Sequence, residues 1–187
     1  MDDLQSWKES KAKETIGQNL IYTILDFAGY KIYKFGIENF VEDMKKEITG
    51  NYTSDTNSRI MSTLDYVVVD PETKDAVLVE IKYRGLKEGD GRGVNLIFKY
   101  RTINNHMTYW KDMILIIVFN VHPYITCIRV QDIEWNYHLS GIVFRGTNKT
   151  DELWNFCGIE RDIQQYFPRI HPEHIHKAKE LLKFEEH

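Results

Sequence analysis

Cysteine is nearly missing from this chain. Two stand among 187 residues, Cys127 and Cys157, both in apolar surroundings. They offer neither a disulfide framework nor a paired zinc-ligand spacing, which points to a reducing compartment and a cytoplasmic location. Long apolar runs are missing as well. None approaches the ~20 residues of a membrane span, so no membrane partner is expected. The opening residues, MDDLQSWKESKAKE, are charged and lack the apolar core of a signal segment. A basic excess is absent: the formal net charge is −4, so overall charge does not announce nucleic acid. There is no Gly-x-Ser-x-Gly elbow and no reactive-cysteine signature. No internal repeat, low-complexity tract or clear linker divides the chain, and 1–187 reads as a single domain.

What is present is an aromatic-rich sequence, with 11 Tyr, 9 Phe and 4 Trp, long enough to bury a sizeable core. Leu4 to Ala28 has helical spacing, with Asp2 or Asp3 as cap and Gly29 closing its end. Ile16, Leu20, Ile24 and Phe27, supported by Ile21 and Leu25, form the face expected to pack on a sheet. Tyr30 to Ile37 reads as a strand, Glu38 to Ile48 as a short amphipathic helix, and Gly50 to Ser58 as a surface loop rich in turn formers. Val94 to Lys111 places Leu96, Ile97, Tyr100, Ile103, Met107 and Trp110 at roughly helical spacing. Met113 to Asn120 is a continuous apolar run, as expected of a strand buried on both faces, and Tyr124 to Val130 alternates like another strand. Beyond Asp132 the pattern predicts a short strand at Gly141 to Arg145. It also predicts at least one helix within Leu153 to Phe167, and a helix over Pro172 to Phe184. This order predicts an α/β (α+β) fold: a mixed sheet of four to five strands flanked by helices, with residues 132–187 as a mostly helical C-terminal part.

The centre of the chain is Thr63 to Arg84, TLDYVVVDPETKDAVLVEIKYR. Two apolar-rich runs flank the polar turn Asp70-Pro71-Glu72-Thr73-Lys74-Asp75, the signature of a β-hairpin. A symmetric turn sets Val69 opposite Ala76, and the same register sets Asp65 opposite Glu80. Lys82 shares the face of Glu80, because side chains alternate along a strand. Two carboxylates that close repel unless positive charge lies between them. A divalent cation with oxygen ligands would supply that charge, with Lys82 beside it. The plainer alternative is a solvated sheet face on which Lys82 neutralises Glu80. An acidic residue two before a lysine recurs at Glu9, Asp43 and Glu72, but only Glu80-Ile81-Lys82 lies in an apolar strand with an acid opposite.

Basic charge gathers just after the hairpin. Lys82 to Arg101 holds six basic residues, Lys82, Arg84, Lys87, Arg92, Lys99 and Arg101, against Glu88 and Asp90. This suits a polyanionic substrate, with a solvated helix face as the bland alternative. The loop Gly85 to Gly93 has four glycines but the spacing of neither a P-loop nor a dinucleotide fingerprint.

Asp65 followed by Glu80-Ile81-Lys82, on a hairpin after an N-terminal helix and strand, resembles the PD-(D/E)XK nuclease superfamily, to which restriction endonucleases and Holliday-junction resolvases belong. The resemblance covers about residues 12–130 by element order and spacing. Leu64 stands where the family name has proline. The resemblance implies a restriction-endonuclease-like core and Mg²⁺-dependent (or Mn²⁺-dependent) phosphodiester hydrolysis. It implies Asp65, Glu80 and the carbonyl of Ile81 as metal ligands, and Lys82 as the group that orients the attacking water. Family members often add an acidic residue from the first helix: Glu14 is the better ligand chemically, Gln18 the better positional match. Asn105 and Tyr109 resemble a Gln-x-x-x-Tyr pair found after the lysine strand in some members, with Lys99, Arg101 and His106 as alternative phosphate contacts. Arg84, Lys87 and Arg92 would hold the backbone of the nucleic acid, DNA ahead of RNA. A homodimer is left open.

Two other readings compete. A catalytically silent nucleic-acid-binding or assembly module on the same fold would keep the basic stretch without cleavage. A protein-binding domain would use the aromatic surface instead. His171, His174 and His176 in HPEHIH have transition-metal spacing at i, i+3, but a polar helix start accounts for them more simply.

Overall fold

A computed structural model of the chain describes residues 3–35, 54–84, 97–120, 124–136, 153–158 and 162–184. The helix expected over Glu38 to Ile48, the glycine loop 85–93 and the strand at Gly141 to Arg145 lie outside these residues.

The first helix, α1, runs Asp3–Phe27. It ends in a left-handed closure: Gly29 has φ +82°, its N–H donates to Asp26 O (2.9 Å), and the N–H of Tyr30 donates to Leu25 O (3.0 Å). Only glycine takes this φ without strain, and the two bonds satisfy carbonyls the helix would otherwise orphan. Leu20, Ile21, Ile24, Leu25 and Ala28 are buried, a stripe with helical period. Ile16 and Phe27, expected in this face, are 47% and 41% exposed. The stripe is centred between Leu20/Leu25 and Ile21/Ile24 and passes through Gly17, so Ile16 and Phe27 fall on its flanks.

Strand β1 (Lys31–Lys34) is followed among the described residues by the short helix α2 (Asp55–Met61). The reading of a loop through Ser58 is corrected here. Ser54 caps α2, its side chain accepting from Asn57 N–H, and Asp55 adds favourable charge in the first turn. Strands β2 (Tyr66–Val69) and β3 (Ala76–Arg84) then form the expected hairpin, with Val69 opposite Ala76 and Tyr66 opposite Val79. Asp70 organises the turn: its carboxylate accepts from the N–H groups of Glu72 (2.8 Å) and Thr73 (3.3 Å).

Strand β4 (Ile97–Lys99) precedes helix α3 (Tyr100–Tyr109). The helix expected from Val94 is therefore shorter, because Ile97–Lys99 pairs antiparallel with β8 (Leu153–Gly158) instead. Strands β5 (Ile114–Phe119) and β6 (Ile125–Arg129) follow, β5 buried along its whole length as expected. A 3-10 turn, Val130–Asp132, leads to β7 (Ile133–Asn136). The described C-terminal residues contribute β7 and β8, then the short helix α4 (Ile163–Tyr166) and helix α5 (Pro172–Leu182).

The strands form a mixed five-stranded sheet in the order β1-β2-β3-β5-β6, and a three-stranded sheet in the order β4-β8-β7. Only β3 and β5 are parallel in the larger sheet. Its two faces carry separate cores. Ile114, Ile116 and Val118 join α1, Phe167, Ile170 and Ala178 on one side. Leu115, Ile117 and Phe119 join Leu64, Met113, Ile128 and Ile133, with Leu78 and Trp110 against them, on the other. The fold is thus an α/β arrangement with helices on a mixed sheet, as the sequence predicts.

Two contacts fix the layers that meet at the hairpin. A Cβ at Gly17 would lie 3.3 Å from Cβ of Tyr83, so the missing side chain lets α1 press directly on β3. Arg169 ties the C-terminal segment to α1 and the hairpin turn, donating from Nε to Ala28 O (3.2 Å) and pairing with Glu72 (2.6 Å).

Candidate active site

The hydrogen-bonded ladder between β2 and β3 ends at Tyr66 and Val79. Continuing its register by one pair sets Asp65 against Glu80, the relation the sequence predicts. β2 has ended by this point, so no β2 residue faces Ile81, and the Asp65 carbonyl is taken by the N–H of Phe35 (2.9 Å). The carboxylate takes over the ladder instead: Asp65 Oδ2 accepts the N–H of Ile81 at 2.7 Å. The N–H and C=O of one strand residue point the same way, so the Ile81 carbonyl is also directed to the Asp65 side.

Asp65 Oδ1 accepts from Nε2 of Gln18 on α1 at 3.1 Å. Asp65 therefore stands where the truncated strand lets α1 and β3 meet. Gln18, rather than Glu14, touches it. Glu14 lies one turn earlier, paired with Lys11 at 3.1 Å, and adds negative charge felt by Asp65, Lys82 and Arg84. The choice left open by the sequence is thus divided: position belongs to Gln18, and charge to Glu14.

Glu80 and Lys82 form an ion pair on the same side of β3. Glu80 is 6% exposed, and a carboxylate so far from water requires such a partner. The charges do not balance fully. Burial, then the charge of Glu80, push the Asp65 carboxyl up to about 7; Lys82 and the Ile81 N–H oppose the shift without cancelling it. Burial alone would lower the pKa of Lys82, but Glu80 and Asp65 outweigh it and leave the ammonium more firmly protonated than usual. The cluster is an acidic site holding more negative charge than its one lysine neutralises.

This donor set suits a hard divalent cation. Mg²⁺ binds through one or two carboxylates and keeps several waters, so Asp65, Glu80 and the Ile81 carbonyl are sufficient in number and chemistry. Each Asp65 oxygen accepts one hydrogen bond and retains a lone pair. Among the described residues, no group of three or more His, Cys, Asp and Glu side chains gathers as a metal cage. A dedicated all-protein site for a transition metal is therefore not formed by them.

Arg84 continues the face of Glu80 and Lys82. Burial lowers its pKa against the pull of Glu14, and its guanidinium donates to Tyr83 O at 2.8 Å. Lys87 and Arg92 lie outside the described residues, as do the side chains of Lys99 and Arg101. The Tyr109 hydroxyl donates to the Asp55 carboxylate, and Trp110 Nε1 donates to Ser62 Oγ (3.2 Å), so this end of α3 is spent on holding α2. Asn105 is half-buried on the same helix. His106, only one of several alternatives from sequence, is 5% exposed and feels the charges of Glu80 and Lys82. Met107, placed at helical spacing by the sequence, is 39% exposed, and the neighbouring His106 is the buried one. The available signal was helical: His106 lies three after Ile103 and four before Trp110.

His171 and His174 serve the start of α5. The N–H of His171 donates to Nδ1 of His174 at 3.1 Å, the polar helix start expected from HPEHIH. No helix among the described residues is long and apolar enough to cross a membrane.

Comparison with protein-family models finds no match, and comparison with curated proteins finds no relative.

Proposed function

We propose that this protein is a Mg²⁺-dependent nuclease (Mn²⁺ substituting) that hydrolyses phosphodiester bonds, in DNA ahead of RNA. The observation that carries the reading is the meeting of Asp65, Glu80 and Lys82 where β2 stops short of β3. Asp65, Glu80 and the carbonyl of Ile81 would hold the cation, with Gln18 orienting Asp65. When bound, the cation supplies Lewis-acid polarisation of a phosphoryl oxygen and offsets the charge of the site. Lys82, firmly protonated, offers a fixed positive charge where negative charge develops, and an N–H donor that can orient water. Arg84 and the basic residues that follow it would hold the phosphate backbone, giving salt-sensitive binding with little base preference. The resemblance to PD-(D/E)XK nucleases, carried by Asp65 and Glu80-Ile81-Lys82, supports the same reading.

The test is a panel of labelled single-stranded, duplex and branched DNA and RNA, incubated with Mg²⁺, Mn²⁺ or EDTA. The expected result is divalent-dependent cleavage of at least one substrate, reduced about 10²–10³-fold in Lys82→Ala. Cleavage indifferent to EDTA, or unchanged in Lys82→Ala, would contradict the proposal.

One observation favours a second reading, a catalytically silent binding module. Both Asp65 oxygens accept hydrogen bonds and Glu80 has its own cation, so the cluster is also a competent structural plug. That reading predicts salt-dependent binding of nucleic acid without cleavage under any divalent ion.

A further inference from the structure

His106 is the least explained polar side chain in the described structure. It is 5% exposed, and neither Nδ1 nor Nε2 has a hydrogen-bond partner in the protein. Each unmatched buried polar atom costs roughly 1–3 kcal/mol, so native folds rarely leave both ends of one ring unpaired without a use. An apolar residue at the same buried place would carry no such cost. Glu80 and Lys82 pair across from Leu115 and Ile117, on the sheet face against which Trp110 packs four residues after His106, and the charge of both reaches the ring.

The hydrogen-bonding capacities of these three groups are complementary. A neutral imidazole has one donor and one acceptor. A carboxylate only accepts, and an ammonium only donates. His106 can therefore serve Glu80 with its N–H and Lys82 with its lone pair through a bridging water, and no protonated imidazole could do the second. Buried polar atoms without protein partners are commonly matched by such waters. Asp65 and Glu80 would hold a cation, and with Glu80 shared in that way Lys82 would gain from a second acceptor.

We propose that His106 is a positioning residue that holds the Glu80–Lys82 pair in place through a hydrogen-bonded link from its ring. The proposal rests on the nuclease reading for its consequence in catalysis, but not for the link itself.

The experiment compares His106→Phe, which keeps a planar ring and removes both polar atoms, with His106→Gln, which keeps one donor and one acceptor. Three quantities are read: thermal unfolding, the ¹H–¹⁵N correlation of the Lys82 ammonium in metal-free protein, and kcat and KM on the substrate found with the labelled panel. The expected result is that His106→Phe folds with a somewhat lower Tm, because the buried Glu80–Lys82 pair loses its link. It loses the exchange-protected Lys82 signal, and kcat falls about tenfold or more with little change in KM. His106→Gln restores both the signal and most of kcat. A merely structural histidine predicts a lower Tm with the Lys82 signal and kcat intact. The proposal is overturned if His106→Phe keeps the Lys82 signal, or if His106→Gln is as impaired as His106→Phe. If wild type cleaves nothing, the nuclease reading fails, while the Lys82 signal alone still decides the role of His106. Should His106→Phe not fold, the His106→Gln and His106→Leu pair supplies the same comparison.

Discussion

The side chain of Asp65 accepts the backbone N–H of Ile81 at 2.7 Å, so a carboxylate stands where the next β2–β3 backbone hydrogen bond would be. This substitution of side chain for main chain brings three things together at one point. It brings an acid from β2, the Glu80–Lys82 pair from β3, and Gln18 from α1. It also explains why the acid is partly withdrawn from water, and that desolvation is the first cause of its raised pKa.

The raised pKa makes stability depend on pH in a definite direction. Asp65 titrates at about 7 in the folded chain against 3.8 as the ordinary value. Below the lower value both states hold the proton. Between the two, the folded state holds it and the unfolded state does not, so stability falls as pH rises. Above about 7 the effect is complete. His106, lowered to about 4 by burial, acts oppositely, since there the unfolded state is the one that binds a proton. The difference between wild type and Asp65→Asn isolates the first contribution. In urea unfolding with EDTA, wild type should lose stability relative to Asp65→Asn between about pH 4 and 7. A pH-independent difference would contradict the placement of the charge.

Binding of a divalent ion must expel the Asp65 proton. Calorimetry should show Mg²⁺ or Mn²⁺ affinity rising up to about tenfold per pH unit below about 7, then levelling, with protons released to the buffer in the lower range. Asp65→Asn should abolish the proton release.

Gln18 and Glu14 should separate by magnitude. Gln18→Ala removes the hydrogen bond that orients Asp65 and is expected to weaken divalent binding about 10-fold or more, as loss of an outer-shell partner does. Glu14→Gln removes only more distant charge on a half-buried turn and should cost less, with the gap narrowing at high salt. Titration of both variants at two ionic strengths decides this, and an equal loss in both would contradict the division of roles.

Gly17 sets the distance between α1 and β3. A valine there would press on Tyr83 and Val118 and move α1, carrying Gln18 from Asp65. Gly17→Val is expected to destabilise by about 1–3 kcal/mol. It should also weaken divalent binding in the same sense as Gln18→Ala, although no ligand is altered.

The hairpin was legible in sequence because local signals agreed. Asp70 and Pro71 mark the turn, the strands are apolar, and a symmetric turn leaves one register, in which Asp65 meets Glu80. Gly29 announced the end of α1 for an equally local reason. Strand β4 was not legible: Leu96, Ile97 and Phe98 have apolar character that suits a helix, and only pairing with the distant Leu153–Gly158 makes Ile97–Lys99 a strand. The role of Gln18 was hidden for a related reason. A neutral amide carries no charge signal, and its value depends on how closely Gly17 lets α1 approach. His106 lay on the helical stripe of Ile103 and Trp110, but periodicity alone does not tell which neighbouring residue centres the buried face.

The central claim is that Asp65 and Glu80 hold one cation together. Single-turnover cleavage by wild type, Asp65→Ala, Glu80→Gln and the double variant, at one Mg²⁺ concentration and on one substrate, tests it most directly. Two ligands of one ion act as a unit, so each single variant should lose about 10³-fold or more and the double variant should be scarcely worse than either. Losses that multiply in the double variant, or a single variant that cleaves at the wild-type rate, would contradict a shared cation at this site.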